Sequence, residues 1–212
     1  SNVRRGMSTD SRIGKDFLYP GLGYGGSRFP KDTLAVIDMG RAAGIDTLVN
    51  SAVHDVNQAQ RHWFIEGLRS HFNDELDSAR IAVWGLAFKP RTDDIREAPS
   101  RTIITALLDA GASVTGFDPV ASANFERLGT GMAIAEDMYE AARDADALVI
   151  CTEWSEFRTP DFQRLRTIMR HPTVFDGRNL WEPADMARHG FTYHCVGRPT
   201  AAPSQHAAES TR

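Results

Sequence analysis

Cysteine is almost missing from this 212-residue chain: only Cys151 and Cys195 occur. Two thiols cannot build a disulfide scaffold, and they point to the reducing cytoplasm as the compartment. Long apolar runs are missing as well. The longest, such as Ala145 to Cys151, are of strand length and contain Asp146, so no membrane span and no membrane partner are expected. No basic-then-apolar signal region follows the start, and Ser1-Asn2-Val3 in place of Met fits a protease scar, which would make the chain a cut piece. The seven histidines are scattered without metal-ligand spacing, so no metal is expected. Excess positive charge is lacking: 24 Lys and Arg against 28 Asp and Glu leave a net charge of −4. That balance gives no support for a nucleic-acid partner beyond a local basic patch.

What remains is an ordinary globular composition, 42% hydrophobic and 25% charged, enough for one large domain or two small ones. Residues 1–30 hold a glycine-dense stretch, with Gly21, Gly23, Gly25 and Gly26 within six positions. Such a run propagates neither helix nor strand; it is either a flexible surface loop or a close backbone approach. Pro30 then opens a helix expected over Lys31 to Ala43, stopped by Gly44. A longer helix is expected from Thr47 to Phe72. Its apolar positions Leu48, Val49, Ala52, Val53, Val56, Ala59, Trp63, Phe64, Leu68 and Phe72 recur at three and four. One short neighbour cannot cover that stripe. It needs the next domain or a partner chain, and a partner chain is the favoured reading.

From Arg80 on, the pattern changes to apolar strands alternating with helices. Strands are expected at Arg80–Gly85, Ser113–Asp118, Ala133–Ala135, Asp146–Cys151, Thr173–Asp176 and Phe191–Val196. Helices are expected at Ser100–Ala110, Glu136–Arg143, Phe162–Met169 and Pro183–His189. This predicts an α/β fold, a helical segment followed by a Rossmann-like doubly wound parallel sheet. The expected division is a loop and helical segment over 1–78, a sheet domain over 79–198 and a disordered tail over 199–212.

Ligands on such sheets bind beyond the carboxyl ends of the strands, so the loops after Gly85, Asp118, Cys151 and Asp176 are candidates. The loop after the first strand has a single glycine where a dinucleotide fingerprint needs three. It offers Lys89, Arg91 and Arg96 instead, either phosphate-holding cations or a solvated charged loop beside Asp93 and Asp94. Arg178 faces the same crevice, either for a phosphate or for a salt bridge to Glu182 or Asp185. Asp118 either accepts from a ribose hydroxyl or ends a strand before Pro119. Both cysteines read as core residues.

Several segments together carry a resemblance. They are Arg12-Ile13-Gly14, Phe17-Leu18-Tyr19-Pro20-Gly21, Gly23-Tyr24-Gly25-Gly26-Ser27 and Phe29-Pro30-Lys31-Asp32-Thr33. Later come Val83-Trp84-Gly85-Leu86-Ala87-Phe88-Lys89-Pro90, Thr92-Asp93-Asp94-Ile95-Arg96-Glu97, Phe117-Asp118-Pro119, Thr152-Glu153-Trp154 and Phe175-Asp176-Gly177-Arg178-Asn179. In order and spacing, from about Arg4 to Arg198, they resemble the central segment and UDP-binding domain of UDP-glucose 6-dehydrogenases. Lys31 and its neighbours favour the UDP-glucose branch.

The resemblance implies oxidation of a sugar C6 alcohol to an acid by two NAD⁺-dependent hydride transfers through a cysteine thioester. It implies a UDP-sugar partner, NAD as cofactor and a homodimer through residues 31–72. It also implies roles. Asp32 would be the acid/base partner, and Arg12 would reach the partner subunit's substrate. Phe17, Tyr19, Gly23, Gly25, Phe29 and Phe88 would line the nucleotide sugar, with Gly25 allowing close backbone approach. Lys89 and Arg178 would hold the substrate, and Lys31 and Arg96 would serve the cofactor. Two departures stand out: the NAD domain and the start of the central helix do not appear, and Arg28 occupies the nucleophile position. A guanidinium has no available lone pair and forms no thioester. The chain alone is therefore expected not to catalyse. The alternatives are a non-catalytic UDP-sugar-binding or dimerisation module, and an unrelated doubly wound domain. Two residues keep a second reading: Asp32 also suits a helix N-terminus, and Leu22, where the family usually has proline, is expected to loosen the loop.

Overall fold

A computed structural model describes residues 2–14 and 18–203. The chain opens with a short helix, α1 (Asn2–Met7), and then the glycine loop. A helical hairpin follows, α2 (Phe29–Ala42) and the 24-residue α3 (Leu48–His71). Pro30 sits in the first turn of α2, where its missing N–H is harmless. Both helices end within a residue or two of the boundaries expected from periodicity.

The remainder runs β1 (Arg80–Trp84), α4 (Pro99–Asp109), β2 (Ser113–Phe117), α5 (Ser122–Glu126), β3 (Ala133–Ile134), α6 (Met138–Ala142), β4 (Ala147–Ile150), a 3₁₀ turn (Ser155–Phe157), α7 (Phe162–Ile168), β5 (Thr173–Asp176), α8 (Pro183–Arg188) and β6 (Thr192–Cys195). The six strands form one parallel sheet in the order β3-β2-β1-β4-β5-β6, the doubly wound arrangement that the alternation predicts. Every expected strand is present; α1, α5 and the 3₁₀ turn are too short to leave a periodic signal.

Alternation along the strands splits the core in two. Ile81, Val83, Val149 and Phe175 point to one face, with Ile103, Ile104 and Leu107 of α4. Ala82, Trp84, Leu148, Ile150 and Val174 point to the other, with Leu165 of α7 and Met186 of α8. The second half of α3 joins the first face: Phe64, Ile65 and Leu68 are buried in the same cluster as the strands, and the Phe64 and Phe175 rings meet edge-on at 6.3 Å. The helical segment and the sheet thus share one core. Of the two surfaces that the stripe of α3 allows, the next domain covers its C-terminal half, which corrects the favoured partner chain for that half. Its C-terminal half is covered by the sheet, while Leu48, Val49, Val53 and Val56 stay exposed, as does Met39 of α2.

The start of the expected disordered tail is ordered. Ala201 exchanges two backbone hydrogen bonds with Tyr193, at 2.7 and 3.0 Å, and so caps the free edge of β6. Residues 204–212 of that tail lie outside the described residues.

Candidate functional site

The glycine loop lies over the carboxyl ends of the strands, and its glycines are required by what it touches. A Cβ on Gly26 (φ +86°) would meet the Phe88 ring at 2.8 Å, and one on Gly23 (φ +92°) would meet Asn57 Oδ1 at 2.5 Å. Gly25 is buried against the backbone carbonyl of Glu97, and Gly21 lies against the Arg178 guanidinium. Gly26 N–H donates to the carbonyl of Arg96 at 2.9 Å. The loop is therefore no free surface segment. It bridges the stretch after β1, through Phe88, Arg96 and Glu97, and the stretch after β5, through Gly177 and Arg178.

Leu22 anchors this bridge. It is fully buried in the sheet core and packs where Gly177 has no side chain. The expectation that Leu22 loosens the loop is thereby overturned: an apolar side chain with no exposed surface holds the loop down.

On the helix side, three polar residues of α3 grip the loop backbone. Asn57 accepts from Tyr24 N–H at 2.7 Å and donates to Tyr24 O at 3.0 Å. Gln60 donates to Gly21 O at 2.8 Å. The buried Arg61 donates to Tyr24 O at 2.8 Å and Glu97 O at 3.2 Å. Burial pulls Arg61 below its ordinary value, partly offset by nearby Glu97. The sequence reading missed all three. Their signal was present: Asn57 and Arg61 fall at the spacing that continues into the buried Phe64, Ile65 and Leu68.

Among the cations, Arg178 is half-buried and bound to Glu153, with Nε 2.7 Å from Oε2 and Nη2 2.8 Å from Oε1. Its partner is neither Glu182 nor Asp185, the two acids nearest in sequence. Lys89 is exposed, its ammonium 5.3 Å from the centre of the Phe88 ring. Arg96 holds Asp94 through two hydrogen bonds of 2.9 and 2.8 Å, which lower the Asp94 carboxyl and raise the guanidinium. Its side chain is solvated, and its carbonyl rather than its charge meets the loop.

Asp118 is not available to a ribose. It is buried, and its carboxylate accepts from the N–H groups of Leu86, Ala87, Val120 and Ala121 and from Trp154 Nε1, at 2.7 to 3.1 Å. With five donors it is saturated, and it staples the loop after β1 to the loop after β4. The crevice between β1 and β4 is filled too. A Cβ on Gly85 (φ +87°) would lie 2.7 Å from the Thr152 backbone nitrogen, and Thr152 Oγ1 donates to Ala87 O at 2.6 Å.

The remaining candidates lie at the start of α2 or before the loop. Arg28 is exposed at the N-cap, where its carbonyl accepts from Asp32 N–H at 2.8 Å. Asp32 is exposed in the first turn, 3.9 Å from Lys31, a position that complements the helix dipole. Phe29 is exposed and meets the Tyr24 ring edge-on at 6.0 Å. Tyr19 lies under the Arg4 guanidinium at 3.8 Å, and Arg12 is solvated and paired with Asp10. Phe17 lies outside the described residues. The structure therefore brings Gly21, Gly23, Gly25, Phe88, Lys89 and Arg178 around one loop, with Arg12, Tyr19 and Lys31 on more open ground. Neither thiol approaches it as a nucleophile: Cys151 and Cys195 are buried and free, and burial pushes both up, Cys195 to about 11. Among the described residues no cluster of three His, Cys, Asp or Glu could hold a metal, and no helix is long and apolar enough to cross a membrane.

Two family models match the chain. The UDP-glucose/GDP-mannose dehydrogenase family, UDP binding domain, covers residues 82–183, and the central domain of the same family covers residues 1–59. The chain belongs to the UDP-glucose/GDP-mannose dehydrogenase family. This family placement excludes the unrelated doubly wound domain. The UDP-glucose 6-dehydrogenase of Pseudomonas aeruginosa is 47% identical over a 206-position alignment that covers 94% of this chain and 46% of that protein. That of Rhizobium meliloti is 43% identical, over 93% of this chain and 45% of that protein. The chain thus spans less than half the length of these curated relatives. The solved UDP-glucose dehydrogenase from the hyperthermophilic archaeon Pyrobaculum islandicum aligns with a TM-score of 0.79 at 32% identity, covering 91% of this chain and 42% of that one. The matched central region contains the glycine loop, and the matched UDP-binding region contains Phe88, Lys89 and Arg178.

Proposed function

We propose that this chain binds the nucleotide part of a UDP-sugar under its glycine loop, and that it does not oxidise that sugar by itself. One observation supports the binding reading above the others: the loop is fixed across the carboxyl ends of the strands, beside Phe88, Lys89 and Arg178. Apolar ring, exposed ammonium and half-buried guanidinium together suit a base and a diphosphate. In this reading Arg178 leaves Glu153, or shares it, to take a phosphate oxygen. Phe29 and Tyr19, exposed at the rim, would close over the sugar.

The catalytic half of the reading is negative. The family resemblance implies a thioester, and Arg28 stands where its cysteine would be. Arg28 has no lone pair to donate, and the two thiols present are buried away from solvent. The described residues also do not fit NAD as a cradle of their own. The β1–β4 crevice is filled by the Gly85–Thr152 approach. No hydride step follows from these residues, and Lys31 and Arg96 would at most touch a cofactor seated elsewhere.

A homodimer through α2 and α3 belongs to the same proposal. Met39, Leu48, Val49 and Val56 are each more than two-thirds exposed, an apolar surface of the kind that marks association. Titration of the chain with UDP-glucose by calorimetry, with a parallel assay of NADH formation from UDP-glucose and added NAD⁺, tests both halves. Binding without NADH is expected; no binding at millimolar ligand overturns the first half, and NADH formation overturns the second.

A further inference from the structure

We infer that Asn57 and Arg61 are positioning residues, which fix the distance between the glycine loop and the cation-bearing loop after β1. Both side chains are buried on the face of α3 that packs toward the sheet. Asn57 meets Tyr24 as a neighbouring strand would, accepting from its N–H and donating to its carbonyl. Arg61 adds a side-chain link between two segments that already touch through the Gly26–Arg96 backbone hydrogen bond. Its Nη2 reaches both Tyr24 O and Glu97 O, and its Nη1 lies 3.3 Å from Thr102 Oγ1 on α4. One guanidinium thus ties together the glycine loop, the end of the Asp94–Arg96 stretch and the start of α4. The direct Gly26–Arg96 hydrogen bond lies beside this clamp and shares its geometry.

A buried cation is expensive to desolvate, and a core designed for stability alone would place an apolar side chain there. The planar fork of arginine is suited to holding two carbonyls at a fixed separation, which the single ammonium of lysine is not. Those two carbonyls belong to the segments that carry Gly23 and Gly25 on one side and Phe88, Lys89 and Arg96 on the other. Together with the Gly26–Arg96 hydrogen bond, the clamp therefore holds the two walls of the nucleotide-sugar site at a fixed separation. For its ligand this inference rests on the reading given above.

The test compares the chain with Asn57→Ala and Arg61→Lys variants, by amide hydrogen exchange, thermal melting and UDP-glucose calorimetry. The Tyr24 and Gly26 amides are expected to exchange at least tenfold faster in both variants, while amides of β1 and β4 stay within twofold. UDP-glucose affinity is expected to fall at least tenfold in proteins that still melt cooperatively. Unchanged Tyr24 and Gly26 exchange overturns the inference. Equal loosening of loop and sheet also overturns it, because that is a general packing role. If the parent chain binds no UDP-glucose, the binding proposal falls, and the exchange comparison still decides the clamp.

Discussion

Leu22 fills the space that Gly177 leaves open: a Cβ built on Gly177 would lie 2.5 Å from both Cγ and Cδ1 of the leucine. The contact joins the glycine loop to the turn after β5 and places Gly21 against Arg178, the residue next to Gly177. Leu22→Ala is expected to lose about 2–5 kcal/mol of stability, as for other fully buried leucines. Gly177→Ala is expected to lose about 1–3 kcal/mol by overpacking. The double variant should lose less than the sum, because the shortened side chain relieves the clash. Urea unfolding of the four proteins measures the coupling; strict additivity contradicts the contact.

Asp118 provides a second test of structure against binding. Its carboxylate accepts from four backbone N–H groups and the Trp154 indole. Asp118→Asn removes the charge and aims an amide N–H₂ at some of those donors. A loss of about 2–3 kcal/mol is expected in urea unfolding. A variant of unchanged stability that has lost UDP-glucose binding would return Asp118 to the role of ribose acceptor.

Arg178→Lys keeps the charge but not the fork that holds Glu153 and reaches the loop. UDP-glucose affinity is expected to fall at least tenfold, about 1.4 kcal/mol, with little change in melting temperature. Calorimetry checks this, and equal affinity would remove Arg178 from the site.

Acid is expected to destabilise the fold through two histidines. His194 of β6 stacks on Phe175 at 4.3 Å and meets His71 of α3 at 5.2 Å. Burial, then the facing His71, pulls His194 down to about 4, and burial lowers His71 as well. The folded chain thus favours both rings neutral, while the unfolded chain protonates them near the ordinary 6.5. Their contribution is fully present above that value and is lost as pH falls from about 6.5 toward about 4. Thermal melts from pH 7 to 4.5 should show a smaller decline for His194→Phe than for the parent chain.

Arg28→Cys should restore no NADH formation from UDP-glucose and added NAD⁺ in this chain. The substitution supplies a thiol at the start of α2, yet the β1–β4 crevice stays closed by Gly85 and Thr152. An absorbance trace at 340 nm checks it, and any turnover contradicts the account.

The strands and long helices were legible because apolar spacing depends only on which face is buried. Which neighbour covers that face is not written in the spacing. Hence the stripe of α3 leaves the next domain and a partner chain both open, and the favoured partner chain is wrong for Phe64, Ile65 and Leu68, which pack on the sheet. Strand-end acids are equally ambiguous. Asp118 looks the same whether it binds a sugar hydroxyl or saturates itself on nearby amides. For Arg178 the sequence offers a phosphate or a salt bridge to Glu182 or Asp185, the acids close in the chain, whereas Glu153 is brought near only by the pairing of β4 with β5. The glycine loop is legible as a motif; its grip by Asn57, Gln60 and Arg61 is easily passed over, because polar residues on a helix read as a solvated face even where, as for Asn57 and Arg61, their spacing continues the buried stripe.

The claim that most needs testing is the place of the ligand. Backbone NMR of the chain titrated with UDP-glucose tests it directly. The account predicts saturable shifts confined to Gly21–Gly26, Phe88, Lys89 and Gly177–Arg178, with β2, β3 and the exposed face of α2 unmoved. Shifts centred away from the glycine loop, or none at millimolar ligand, would contradict it.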